Sequence, residues 1–247
     1  MANDGDKDGR DMHSIQSPLS LFMGYYSGMG MFAVIFDMDG TLIDNMPVSW
    51  VVINRILKRD YGFSVPADEI KHYAGTPFAS KVVKWKGKYN VDVNLETFFP
   101  EYVREELIEF KKNPKTIGGV IPFLKELKKH HVPMAVATST TPTRARAMLE
   151  ASNLLSYFSI IVTASDVTNQ KPNPEIFLLA AKKLNIAPSK CVVIEDAVFG
   201  IQSGINAGMK TVALLNEYLP NAEAKKADLQ INSFDDMSFE KLSKLMN

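Results

Sequence analysis

Short apolar runs punctuate this chain, and between them the hydrophobic residues fall at helical spacing. Residues 31–36, MFAVIF, are continuous and partly β-branched, the pattern of a strand buried on both faces. Comparable runs stand at 132–138 (VPMAVAT), 158–163 (FSIIVT), 190–195 (KCVVIE) and 210–215 (KTVALL), with a shorter one near ADLQI at 227–231. The segments between the later runs read as helices: IGGVIPFLKELKKHH, PTRARAMLEASN, NPEIFLLAAKKLN, VFGIQSGINAG and the C-terminal stretch. Strands alternating with helices predict an α/β fold with a parallel sheet covered on both faces. The connection from the first run to the second breaks this rhythm. It carries VSWVVINRILKRDYG, with Val48, Val51, Val52 and Ile56 on one face and a stop at Gly62, then SKVVKWKGKY and NLETFFPEYVREELIEFKK. Pro100 predicts a break or kink in the last of these. A helix-only stretch of this length is no ordinary connection. It predicts an inserted helical domain over residues 45–114, with the α/β core at 31–44 and 115–247.

Composition narrows the function classes. Of 247 residues, 46% are hydrophobic and 23% charged, and Lys+Arg and Asp+Glu number 28 each, so no global field draws the chain to nucleic acid or to an anionic membrane. The single cysteine, Cys191, rules out an internal disulfide and fits a reducing compartment. No apolar run reaches the ~18–20 residues that cross a bilayer. Residues 1–30 open with Asp4, Asp6, Asp8 and Asp11 against Lys7 and Arg10, unlike the net-positive start of a secretory signal. They read as a disordered leader, an expression remnant or an upstream start, with Met31 as the native start. The expectation is a cytoplasmic monomer or weak dimer with no nucleic-acid or membrane partner. Lys81, Lys84, Lys86 and Lys88 with Trp85 and Tyr89 form a basic patch that a solvated helix face accounts for better than nucleic-acid binding. In a third reading part of the patch faces the site and attracts a phosphorylated substrate.

Chemistry in an open parallel sheet sits at the carboxyl ends of its strands. The first strand runs into Asp37 and Asp39, the second into Thr138 and Ser139, and the fourth into Glu195 and Asp196. The third leads to Lys171, just before a helix. Each has a bland reading alone: Asp39–Gly40 as a turn, Thr138 and Ser139 as a helix cap, Lys171 as a solvated loop lysine, Glu195 and Asp196 as another cap. Their weight comes from arriving together at one edge.

The blocks DMDGT (37–41), VATST (136–140), KPNP (171–174) and VIEDA (193–197), each at a strand end and in this order, resemble the haloacid dehalogenase-like hydrolase superfamily. The likeness runs from about Met31 to the C-terminus. The position of the helical insert is similar to that in the phosphoglycolate phosphatase and beta-phosphoglucomutase subgroup. The resemblance implies a Rossmann-like core with a helical cap, and Mg²⁺ held by Asp37 and Asp196 with the Asp39 backbone carbonyl and Glu195 in support. It also implies Asp37 as nucleophile, Asp39 as acid/base, and Thr138, the Ser139 amide and Lys171 around the phosphate. Clustered carboxylates independently call for a cation. HYAGTPFAS (72–80) looks like the family's specificity loop, with His72, Gly75, Thr76 and the adjacent Lys81 as substrate-reading candidates; a plain interhelix turn is the competing reading.

The favoured expectation is an Mg²⁺-dependent phosphatase for a small phosphate ester, a sugar phosphate or a phosphoglycolate-like compound, acting through an aspartyl-phosphate. A beta-phosphoglucomutase-like phosphomutase is the alternative; Thr41 and Ser49 stand where that enzyme's pattern has valine and histidine. A non-catalytic binding member of the fold is the rival from another class.

Overall fold

The strands expected from the apolar runs all form, a residue or two shorter at their ends. They are β1 (Ala33–Phe36), β2 (Met134–Ala137), β3 (Ile160–Val162), β4 (Cys191–Glu195), β5 (Lys210–Leu214) and β6 (Leu229–Ile231). The computed structural model describes residues 32–70 and 78–247. The helices between β1 and β2 are α1 (Met46–Tyr61), α2 (Ala67–Ile70), α3 (Phe78–Tyr89), α4 (Leu95–Lys112) and α5 (Val120–Lys129). Beyond β2 come α6 (Pro142–Ala151), α7 (Glu175–Leu184), α8 (Val198–Asn206), α9 (Asn221–Ala224) and α10 (Phe239–Met246).

The sheet has the order β3-β2-β1-β4-β5-β6, and each neighbouring pair is parallel. Both faces of β1 are covered, so all four of its residues are buried. Val34 and Phe36 join one layer, with Phe123 and Leu124 of α5 and Met148 of α6. Ala33 and Ile35 join the other, with Ile176 and Phe177 of α7. The direction of winding reverses between β1 and β4, which opens a crevice at their carboxyl ends.

The inserted helices have an apolar cluster of their own, including Trp50, Ile53, Ile56 and Leu57 of α1, Trp85 of α3 and Phe98 of α4. This is the inserted helical cap. Pro100 does not break α4, which runs as one helix past it. The proline removes one amide donor near the start, while Phe98, Tyr102, Glu106 and Phe110 recur every fourth residue along the buried face. Burial of that stripe outweighs the lost hydrogen bond.

Candidate active site

β1 ends at Phe36, and the next backbone amide, Asp37, still donates to Ile194 O of β4 at 3.0 Å. Asp37 is therefore a continuation of the central strand, held at the mouth of the crevice. β4 ends in Glu195, followed by Asp196. Asp37, Glu195 and Asp196 each offer a carboxylate oxygen, and these oxygens lie within 4.8 Å of one another.

Lys171 sits against this cluster. Its ammonium donates to Asp37 Oδ1 at 2.7 Å, Glu195 Oε1 at 2.9 Å and Ala137 O at 3.0 Å. Burial works against its charge, but Asp37 and Glu195 outweigh it and lift the pKa above that of an ordinary lysine. One ammonium does not neutralise three carboxylates. Burial raises the Asp37 pKa to about 7, against the pull of Lys171, and burial together with the Glu195 and Asp37 charges pushes Asp196 well above the usual carboxylate range. A hard divalent cation is what this oxygen set fits.

The three acids differ in how much of each is already committed. Glu195 Oε1 takes Lys171, and Oε2 accepts the Asp196 and Ala197 amides at 2.8 Å each. Asp196 accepts Thr41 Oγ1 at 3.1 Å and Asn216 Nδ2 at 3.0 Å. Two glycines make room for these side chains. A Cβ on Gly40, at φ +87°, would lie 2.3 Å from Asp196 Oδ2, and one on Gly200 would lie 1.6 Å from Glu195 Oε1.

Asp39 faces the other way. Its carboxylate receives Arg144 Nη1 on Oδ2 at 2.9 Å, Arg144 Nη2 on Oδ1 at 2.8 Å and Asn45 Nδ2 on Oδ1 at 2.7 Å. Its side chain stands apart from the metal-type cluster, as a ligand role through its backbone carbonyl alone requires. Thr138 is buried just beyond β2 and Ser139 is exposed, and both line the same cavity as Asp37 and Lys171. That cavity, about 450 Å³, is walled on the cap side by Trp50, Phe78, Phe99 and Tyr102.

Of the cap candidates, His72, Gly75 and Thr76 lie outside the described residues. Lys81 lines the cavity, its ammonium 5.8 Å from the Trp50 ring centre and 5.6 Å from that of Phe78. Burial lowers its pKa to about 8 despite the nearby Asp39. Lys81 thus faces the site, the placement that the third reading of the basic patch expects. Cys191 is buried in β4, and burial pushes its thiol up to about 11, the behaviour of a small core residue.

Sequence reasoning passed over Arg144, Glu106, Asn45 and Gly200. Arg144 and Glu106 carried a signal: each is a charge on an otherwise apolar helical stripe, Arg144 beside Ala145, Met148 and Leu149, and Glu106 between Tyr102 and Phe110. Each needs a partner from elsewhere in the fold, and each is the other's.

Comparison with known proteins agrees with this geometry. The family model for haloacid dehalogenase-like hydrolase matches residues 34–214. The chain is 32% identical over 182 residues to the phosphorylated carbohydrates phosphatase of Thermotoga maritima, covering 74% of this chain and 84% of that one. It is 32% identical over 184 residues to fructose-1-phosphate phosphatase YqaB of Escherichia coli, covering 72% and 94%. A crystal structure of a family IA, variant 3 HAD hydrolase from Entamoeba histolytica superposes with a TM-score of 0.77 at 28% identity, covering 87% of this chain and 99% of that one. With four motif blocks on one sheet edge and a helical cap over them, the chain belongs to the haloacid dehalogenase-like hydrolases.

Proposed function

We propose that this enzyme is an Mg²⁺-dependent phosphatase for a small phosphate monoester with a neutral, hydroxyl-rich leaving group, a sugar or polyol phosphate. The observation that carries the reading is the placement of Asp37, in reach of Lys171 and of the Glu195–Asp196 pair at the sheet's switch point. The chain is a phosphoric monoester hydrolase in which Asp37 attacks phosphorus. The ester P–O bond breaks as the Asp37 O–P bond forms, and the electron pair leaves with the alkoxide oxygen, which takes a proton from Asp39. Asp39, now a carboxylate, removes a proton from water as that water's oxygen attacks the aspartyl-phosphate. Inorganic phosphate departs and Asp37 is restored. Lys171, Thr138 and the Ser139 amide hold the phosphoryl oxygens as charge moves among them. Asp37 and Asp196, with the Asp39 carbonyl, would hold Mg²⁺, which supplies charge neutralisation, while Glu195 orients Lys171 and the loop amides.

The leaving-group class follows from which cations are left for it. Among the described residues lining the cavity the cations are Lys171, Arg144 and Lys81. Lys171 belongs to the phosphoryl seat. Arg144 is spent on two carboxylates, with bonds of 2.6 and 2.9 Å to Glu106 besides the two to Asp39. Among the described residues a second phosphate or a carboxylate on the substrate thus finds no open guanidinium, only the Lys81 ammonium, whose pKa burial lowers to about 8, and this weighs against phosphoglycolate and against the bisphosphate a mutase passes through. Ser49, where the mutase pattern has histidine, donates its hydroxyl to Glu106. Aromatic rings suit the apolar face of a sugar. Asn45, which lines the cavity, turns its Nδ2 to three acceptors, Asp39, Ser49 and Glu106, and its buried Oδ1 has no hydrogen-bond partner among the described residues. The names of the two relatives, both sugar phosphate phosphatases, support the same class. Assembly of Asp37, Asp39 and Lys171 argues against an idle binding member.

The test is a panel of phosphorylated metabolites with Mg²⁺, reading released phosphate and isomerised sugar together. Sugar and polyol monophosphates should be hydrolysed well ahead of phosphoglycolate and bisphosphates. Isomerisation without phosphate release would establish the mutase instead.

A further inference from the structure

Glu106 is fully buried, and no step of phosphoryl transfer uses it. It stands on α4 of the cap and collects donors from both parts of the molecule. Tyr102 OH donates to it at 2.8 Å, Asn45 Nδ2 at 3.2 Å, and the Ser49 hydroxyl also donates. From the core, Arg144 of α6 gives Nε to Oε2 at 2.6 Å and Nη2 to Oε1 at 2.9 Å. Burial alone would raise the pKa of Glu106, but Arg144 and the hydrogen bonds hold it below the ordinary value, so it is a carboxylate at neutral pH.

The other edge of the same guanidinium carries Asp39. A planar fork gripped on both edges has no freedom to rotate, so it fixes the plane of the Asp39 carboxylate. The counter-charge of Glu106 has a second effect. A substrate phosphoryl dianion arriving at Asp37 attracts Arg144 as well, and an unanchored Arg144 would move toward it and take Asp39 out of line. Glu106 holds it back, and Asp39 need release only one oxygen to the leaving group.

We propose that Arg144 is a positioning residue for the acid/base Asp39, and that Glu106 of the cap aims it, so that core and cap jointly build the seat of the leaving-group proton. The inference rests on the phosphatase reading above. The competing view is a structural strut that merely ties cap to core. The two differ in the leaving-group dependence of the first step: a strut serves every substrate alike, whereas alignment of the proton donor matters in that step only where the departing oxygen is basic.

The experiment measures kcat/KM, which reports attack on the ester and not the later hydrolysis of the aspartyl-phosphate that Asp39 also serves, for a hexose or hexitol monophosphate and for 4-nitrophenyl phosphate. It compares wild type, Glu106→Gln, Arg144→Lys, Asp39→Asn and the Asp39→Asn/Glu106→Gln double variant. Glu106→Gln keeps the volume, and Arg144→Lys keeps the buried positive charge while removing the fork. Both should lose kcat/KM on the sugar phosphate at least about 10-fold more than on the aryl phosphate, part of the ~10²–10⁴-fold that general acid help supplies. In the Asp39→Asn background, Glu106→Gln should add no further leaving-group preference, because the group it serves is gone. Equal losses on both substrates, no loss, or an undiminished effect of Glu106→Gln without Asp39 would overturn the proposal. If Glu106→Gln does not fold, Arg144→Lys decides by the same ratio. Absence of phosphate release by wild type from every substrate would instead overturn the phosphatase reading, and this proposal with it.

Discussion

Lys171 Nζ and Asp37 Oδ1 are 2.7 Å apart, and both residues are buried. The lysine arrives from a loop 134 positions later in the chain and bridges Asp37 to Glu195. Removing it leaves two buried carboxylates facing each other without the ammonium. Lys171→Met should abolish turnover and destabilise the fold by about 3–5 kcal/mol at pH 8, the range for breaking a buried pair. Asp37, already raised to about 7, rises further in the variant and is protonated at pH 5. The penalty in urea unfolding should therefore shrink at pH 5; one that is the same at both pH values contradicts the argument.

Gly200 gives a prediction whose sign is unusual. In a helix interior, Ala is favoured over Gly by about 0.8–1 kcal/mol. At Gly200 the added methyl would fall 1.6 Å from Glu195 Oε1, so the carboxylate must leave its seat beside Lys171. Gly200→Ala should destabilise by about 1–3 kcal/mol and cut kcat. Gly87 of α3 is the control, because a methyl there would meet nothing within 4 Å, and Gly87→Ala should stabilise. Thermal melts of the two variants check this directly, and a stabilising Gly200→Ala would refute it.

These two cases show what was legible in the sequence. The strands and their carboxyl-end residues were, because burial and alternation are local patterns, and Asp37, Glu195, Asp196 and Lys171 do converge. The break expected at Pro100 does not occur, because a local rule lost to the burial of Phe98, Tyr102 and Phe110. Arg144 and Glu106 were visible as charges on apolar stripes. Their pairing across 38 residues depends on how α4 meets α6, which no local spacing encodes. The clearance at Gly200 is likewise a property of packing between a helix and the strand before it.

Division of labour between the two aspartates predicts distinct defects. Asp37→Asn should show no turnover on any ester, since an amide is a poor nucleophile. Asp39→Asn keeps the nucleophile and loses the acid/base, so on an aryl phosphate the first step proceeds and the second is starved of a base. A burst of nitrophenolate close to one equivalent, with phosphate retained on Asp37, is the expected pre-steady-state trace. Label found on another residue would displace Asp37 from its role.

The acid cluster also sets a dependence of stability on pH and metal. Asp37 and Asp196 have folded-state pKa values above their unfolded ones, Asp37 by reaching about 7 from 3.8. Between those values the folded state binds more protons than the unfolded state. By linkage, metal-free protein should lose stability as pH rises from about 4 to about 7. Most other shifted carboxylates, such as Asp166, Glu175 and Asp228, are lowered and act only below this window. Lys81, lowered to about 8, acts only above it. Chelated wild type should therefore melt lower at pH 8 than at pH 5. Millimolar Mg²⁺ should raise the melting temperature at pH 8 far more than at pH 5, where protons compete for the same oxygens. Asp196→Asn, with one ionisable group fewer in the cluster, should flatten the pH slope and blunt the Mg²⁺ response together. A variant that keeps the full Mg²⁺ shift would remove Asp196 from the ligand set, and full turnover of wild type in excess chelator would remove the metal from the reaction.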